Sequence, residues 1–343
     1  MPLDPLKAQQ LEQGVNQGVV PPKPEETLAE GILDLAQFSV LFPDSNIDSF
    51  LSEFDAQSNS IFDTLGCNIF ASVGGSEVYF NAFNIDPDYI GNGGKIQFSE
   101  RMACVAAGLN GSMGSSEQQW QNFISNKGLV KQANWPFTPT MTKEQFFAAL
   151  SQDIINQGQK FLSKYVPFPR AVKTDKASLK EALKYGPVKI FVGTGPGWNT
   201  GEPNVVPANT GPLNHAVLLR KITDQGYHIR DQYSPFLKIL HPDYLIHYAF
   251  QTLYKKKAVS NFFFTRDLWY GLSDPDCIQL QVAMIKYGEF PPTTPLDEHF
   301  GPKTLKAVQK FQVKYGIALP GQPGYGRFGP KSRAMLNKLQ LTN

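Results

Sequence analysis

Asn214-His215-Ala216-Val217-Leu218-Leu219, followed by Tyr227-His228-Ile229-Arg230-Asp231, is the stretch whose reading decides the fold of this chain. A histidine opens an apolar run, and a second apolar run ends on a carboxylate. Together they read as a β-hairpin that presents His215 and Asp231 side by side. A carboxylate so placed orients an imidazole and stabilises its charged form. The nucleophile that such a base would serve is Cys67, in Gly66-Cys67-Asn68-Ile69-Phe70-Ala71, with His215 148 residues further on and Asp231 another 16 beyond it.

Around this constellation the composition sets bounds. At 343 residues the chain suits a domain of about 200 residues plus a smaller one. An apolar fraction of 41% with 18% charged residues describes a globular chain. A net charge of +2 gives no reason to expect nucleic acid, and Lys255-Lys256-Lys257 reads as a solvated linker face. No apolar run approaches the ~20 residues of a membrane span, so no membrane insertion is expected. Met1-Pro2-Leu3-Asp4 lacks the basic and apolar regions of a conventional signal peptide. Three widely spaced cysteines form no CxxC pattern; free thiols are expected, and neither a metal nor an organic cofactor.

Residues 1–45, rich in Gln, Pro and Glu, read as an extended N-terminal arm with one short helix near Thr27–Ala36. Such an arm is a poorly ordered terminus, an anchoring tail, a docking segment or a short propeptide. From Phe50 the sequence tightens. A small residue before Cys67 and an apolar run after it suit a loop that delivers a thiol to the start of a buried helix, where the helix N-terminus favours thiolate. Taken alone, a cysteine in an apolar setting is an ordinary core filler. Phe98-Ser99-Glu100-Arg101 then opens a capped helix, a second helix runs around Glu117–Lys127, and Ser178 through Val192 is a short helix turning at Gly186-Pro187 into a strand. Gly193-Thr194-Gly195-Pro196-Gly197-Trp198 lacks a Walker lysine and a following helix, and reads as a substrate-groove loop. The remaining histidines have plain readings: His228 alternates in a strand, His241 and His247 flank a helix-like 242–248 segment, and His299 lies in the C-terminal part.

In this order over residues 55–245, the cysteine block, the Ser-Glu helix, the Gly-rich turn at 111–114, Trp135-Pro136-Phe137, Leu183-Lys184-Tyr185-Gly186-Pro187-Val188 and Asn214-His215-Ala216-Val217 resemble the papain-like cysteine peptidases. The resemblance implies an α+β, two-lobed peptidase domain with a helical lobe and a β lobe, and Cys67, His215 and Asp231 as catalytic residues. It departs from the family in four places. Asp231 stands where the family has asparagine, and Tyr233 near the family's shielding tryptophan. The position six before the cysteine, where the family keeps its oxyanion glutamine, is Ile61. Gln57, ten before Cys67, is the tentative oxyanion-hole residue, with Asn59 its rival. The family's usual disulfide partner near Thr64 is absent, which leaves Cys104 a buried free thiol.

Beyond residue 270 the periodicity turns helical. Cys277–Gly288 is one amphipathic helix, and Phe-Gly-Pro-Lys at 300–303 and again at 328–331, 28 residues apart, precedes two more. In this motif glycine is expected to make a tight turn and proline to start the helix at N1. Residues 272–343 resemble the three-helix peptidoglycan-binding domain type 1, through Leu280-Gln281, Phe300-Gly301-Pro302-Lys303-Thr304, Phe311-Gln312, Tyr315-Gly316 and Gly326–Pro330. The expected organisation is an arm at 1–45, a papain-like domain at 46–262, a connector at 263–271 and a wall-binding domain at 272–343. What the two resemblances imply is a cysteine endopeptidase held on peptidoglycan that cuts its peptides, such as a phage lysin or virion-associated hydrolase, located in the virion or in the host cytoplasm before release. A virion structural or attachment protein with a silent papain-like domain, or a protease that processes proteins, are the alternatives; on a virion reading, residues 1–45 are the segment expected to dock on other virion proteins.

Overall fold

The computed structural model describes Gln9 and residues 19–21, 35–53, 56–83, 86–257, 262–291, 294 and 296–341. Two compact units result, Met1–Lys256 and Lys257–Asn343. The expected helix near Thr27–Ala36 falls almost wholly outside the described residues.

The first unit has two lobes. Its helices are α1 (Cys67–Phe83), α2 (Glu100–Ala106), α3 (Glu117–Asn126), α4 (Lys143–Phe146) and α5 (Gln152–Lys164). Ser99 caps α2 through Met102 N, and Ser116 and Gln119 close a reciprocal capping box on α3, so each helix start is fixed by local chemistry. These helices enclose an aromatic core in which Phe80, Phe98 and Phe161 meet edge-on at 5.6–5.8 Å.

The β lobe is a seven-stranded sheet in the order β1-β7-β2-β4-β5-β6-β3. The strands are β1 (Tyr165–Val172), β2 (Val188–Val192), β3 (Val205–Val206), β4 (His215–Thr223), β5 (Gly226–Arg230), β6 (Leu237–Leu240) and β7 (Ile246–Lys256). Helix α6 (Lys176–Tyr185) leads into β2. Every pairing is antiparallel except β3 with β6. The period-two alternation puts Val188, Ile190, Val217, Leu219 and Ile229 into one core. The opposite face receives α1, whose Gly75 leaves room for Leu218: a Cβ there would lie 3.3 Å from Leu218 Cδ1.

Two boundaries of the sequence reading are corrected here. Residue 45 does not end an arm, because Phe38 (8% exposed) and Phe42 (2%) are already in the core, and Leu41 N and Phe42 N both donate to Lys184 O at 2.9 Å. Apolar residues in a Gln/Pro-rich context hid this packing. Nor is 263–271 a connector: Phe264 and Leu268 are buried in the core of the second unit, and Leu268 pairs with Phe328. His241 and His247 likewise flank a turn and the start of β7, not a helix.

The second unit contains α7 (Asp276–Lys286), α8 (Pro302–Lys314) and α9 (Pro330–Leu341). Its Phe-Gly-Pro-Lys repeat is one structural device used twice. Buried Gln281 donates to His299 O and Thr304 Oγ1, both at 3.1 Å; buried Gln312 donates to Arg327 O at 2.8 Å and Ser332 Oγ at 3.0 Å. Each glutamine ties one helix to the loop that starts the next, and Phe300 and Phe328 are fully buried beneath those loops. Pro302 occupies the first turn as expected, but Gly301 has φ −83°, an ordinary conformation, so no positive-φ turn is made there.

Candidate active site

Cys67 is the first residue of the 17-residue helix α1. The loop before it is built from its own side chains. Asp63 Oδ1 accepts from Leu65 N at 2.8 Å and Thr64 Oγ1 from Gly66 N at 3.1 Å, which holds Leu65 at φ +55° and turns the chain into the helix. Gly66 is required, since a Cβ would come within 2.9 Å of Cys104 Sγ. Cys104, like Cys67 and Cys277, is a buried free thiol.

His215 opens β4, and Asp231 follows the last residue of β5. Because Leu218 pairs with Arg230, these two strand ends lie at the same end of the sheet. His215 Nε2 lies 2.7 Å from Asp231 Oδ1, with both side chains fully buried. A carboxylate only accepts, so Nε2 carries the proton. That leaves Nδ1, which makes no hydrogen bond of normal geometry, as the nitrogen free to exchange a proton with the sulfur. Burial works against charge on the imidazole, but Asp231 and then Cys67 outweigh it, and the pKa of His215 is raised to about 9.

Apart from Tyr233, expected near the shielding position, the surroundings of Asp231 were not read from the sequence. Its carboxylate accepts from Trp198 Nε1 at 3.0 Å, Gln232 N at 2.7 Å and Lys238 Nζ at 2.8 Å in addition to His215. Burial opposes ionisation of this group, and Lys238 followed by His215 overcomes it, so its pKa is held below the usual carboxylate range. Trp198 stands edge-on to the His215 ring at 5.5 Å, and Tyr233 covers the same ring at 5.5 Å. The Gly193–Trp198 loop therefore supports the histidine pair with its tryptophan, where a groove lining was expected. Of the other histidines, His228 is buried against Glu202 at 3.1 Å, away from this group.

Gln57, fully buried, reaches the site from ten residues upstream: its amide donates to Asp63 Oδ1 at 3.0 Å and to the Tyr233 hydroxyl. Both amide hydrogens are thereby engaged, and in this arrangement none is left for an oxyanion. Asn59 is no rival. Its side chain staples a loop, donating to Met141 O at 2.8 Å and accepting from Ile61 N and Phe62 N. Beside Cys67 lies a second buried cation, Lys189, which donates to Glu117 Oε2 and Ser72 Oγ at 2.6 Å and to Asn68 Oδ1. Burial lowers its pKa, against which Glu117 and the Cys67 sulfur act.

Val19 and Val20 lie against the site. Val19, 1% exposed, packs in one cluster with Cys67, Phe191 and Ala216, and Val20 N donates to Ser115 O at 3.0 Å in a parallel bridge. Cys67 and His215 are both 0% exposed.

A thiol at a helix N-terminus facing a carboxylate-held imidazole, between a helical and a β lobe, is the architecture of the papain-like cysteine protease fold. The structure is similar to that of the cysteine protease and lectin-like domains of Cwp84, a surface layer associated protein of Clostridium difficile. That match has a TM-score of 0.51 and 13% identity, covering 78% of this chain and 60% of that one. It is similar also to xylellain, a cysteine protease from Xylella fastidiosa (TM-score 0.44, 15% identity, 71% of this chain and 96% of that one). Bromelain protease from Ananas comosus resembles it too (TM-score 0.41, 16% identity, 61% and 97%). The chain spans about three-fifths of the two Cwp84 chains it matches, 59% and 60% of their lengths. No protein-family model matches, and no curated protein sequence does.

Proposed function

We propose that this chain is a cysteine endopeptidase whose catalytic residues are Cys67, His215 and Asp231. The observation that carries this reading is the fully buried His215–Asp231 contact of 2.7 Å, whose free ring nitrogen serves a cysteine at a helix N-terminus. The Cys67 thiolate attacks the scissile carbonyl, and the carbonyl carbon–nitrogen bond breaks as His215 Nδ1 protonates the leaving amine. His215 then takes a proton from water, which hydrolyses the acyl-enzyme and returns the thiolate. Asp231 holds the ring so that Nδ1 faces the sulfur throughout.

Its substrate is the peptide part of peptidoglycan, with residues 272–343 as the anchor. The resemblance of that block to peptidoglycan-binding domains supports this. Tethering raises the local substrate concentration without altering the chemistry. A phage lysin or virion-associated hydrolase, acting on the wall after release from the host cytoplasm or the virion, fits such a tethered enzyme.

A second reading, a virion structural or attachment protein with a silent site, is favoured by the sealed Cys67 and by the engaged amide of Gln57. A protease that processes other proteins is the third. Turbidity clearing and new-amine release on purified peptidoglycan separate them, comparing the wild-type chain with Cys67→Ala. The expected result is release that disappears in Cys67→Ala while both proteins sediment with the wall. Sedimentation without release in either leaves the structural reading, and cleavage of proteins alone leaves the processing one.

A further inference from the structure

Lys238 lies in β6, Leu237-Lys238-Ile239-Leu240, yet its side chain is completely buried. Since Ile229 pairs with Lys238, and Leu219 with Ile229, the alternation of side chains puts Lys238 on the same sheet face as Asp231 and His215. Its ammonium has three protons and three acceptors: Asp231 Oδ2 at 2.8 Å, Tyr233 O at 3.1 Å and Pro235 O. The Trp198 ring lies under it at 5.6 Å. An ammonium taken wholly out of water is costly, and a chain keeps one only where its partners compensate it fully.

We propose that Lys238 is a positioning residue of the reaction: its ammonium fixes the Asp231 carboxylate, charged and in one orientation, so that Oδ1 is presented to His215 while Oδ2 is held away. This rests on the peptidase reading of the site. Without Lys238, Oδ2 keeps only the Trp198 N–H while Oδ1 keeps Gln232 N and His215, so the carboxylate is held less firmly in that orientation and the imidazole with it. Lys238 also sets the charge balance. The carboxylate is shared between two cations, so the ammonium opposes the imidazolium across it. The other ionisable groups facing this cluster are Cys67 from α1 with Lys189 beside it, Tyr233 with Asp63 behind it, and Tyr244, whose ring lies 6.3 Å from that of Trp198. Of these only Lys189 is a cation, and Glu117 pairs with it at 2.6 Å.

The test is the pH profile of kcat/KM on a soluble peptide substrate, per active site titrated, for wild type, Lys238→Gln and Lys238→Arg in the full chain. Glutamine can keep the bonds to Tyr233 O and Pro235 O while removing the charge. The expected result is that both limbs of its profile move to higher pH by about half a unit or more. The acid limb moves because Asp231 has lost its cation, and the basic limb because the imidazolium has lost its repulsion. Arginine, always charged, keeps both limbs in place and restores part of kcat. Lower activity in Lys238→Gln with both limbs unmoved would reduce Lys238 to a structural role and overturn the proposal. If Lys238→Gln does not fold, the arginine variant decides: a folded Lys238→Arg whose limbs shift as far as half a unit overturns it equally. A chain that cleaves no peptide either as wild type or with Val19→Asp to open the cleft would instead sink the peptidase reading itself.

Discussion

Asp231→Asn is expected to lower kcat/KM by about three orders of magnitude, although the side chain keeps its shape. The reason is the number of donors aimed at it. Oδ1 faces His215 and Gln232 N, while Oδ2 faces Trp198 and Lys238. An amide has one oxygen to offer. If that oxygen turns to His215, the NH2 meets the indole N–H and the ammonium. If it turns to those two, the NH2 donates to Nε2, the proton moves to Nδ1, and the base cannot accept one from the thiol. Either arrangement also leaves the buried Lys238 without a counter-charge, so a loss of stability of about 3–5 kcal/mol accompanies the loss of activity. Steady-state kinetics and urea unfolding on the same preparation measure both. An Asp231→Asn protein within tenfold of wild type would show that the carboxylate does not orient His215.

Val19→Asp is expected to have the opposite effect. Val19 seals Cys67 in an apolar cluster with Phe191, Ala216 and Phe250, and the buried cations nearest Cys67, Lys189 and His215, already hold Glu117 and Asp231. A carboxylate placed there unpaired costs several kcal/mol. The segment would leave the cleft instead, and since each 1.4 kcal/mol is a factor of ten, turnover of a small peptide should rise at least about tenfold. Unchanged turnover would mean that Val19 does not obstruct the substrate.

The helical and β lobes were legible because their signals are local. Ser99 and Ser116 cap the helices they precede, Gly186-Pro187 turns α6 into β2, and β4 and β5 alternate visibly. The hairpin reading of 214–231 rested on the same pattern and on the order of cysteine, histidine and carboxylate. What escaped was everything that depends on strand register or on long-range docking. Lys238 looks like a solvent-facing residue in a short strand until the pairing of Ile229 with Lys238 shows which face it shares. Trp198 sits in a Gly-rich loop that only the folded chain brings over His215. Phe38 and Phe42 lie where composition suggested an arm, and their partners are more than a hundred residues away, as Lys184 shows.

The central claim is that Cys67 is a nucleophile activated by His215, and the most direct measurement is selective alkylation. All three thiols are free. Burial pushes Cys104 well above the ordinary thiol range and Cys277 up to about 11, so neither reacts readily in mild acid. His215, with its pKa raised to about 9 chiefly by Asp231 against the effect of burial, is protonated throughout mild acid and can pair with a thiolate there. The charge on His215 is lost only as the pH rises through about 9. Iodoacetamide at pH 6 on the Val19→Asp chain, followed by peptide mapping, should therefore label Cys67 at least about tenfold faster than Cys104 or Cys277. That preference should vanish in a chain that also carries His215→Ala. Labelling of Cys67 no faster than the other two, or unchanged by loss of His215, would contradict the account.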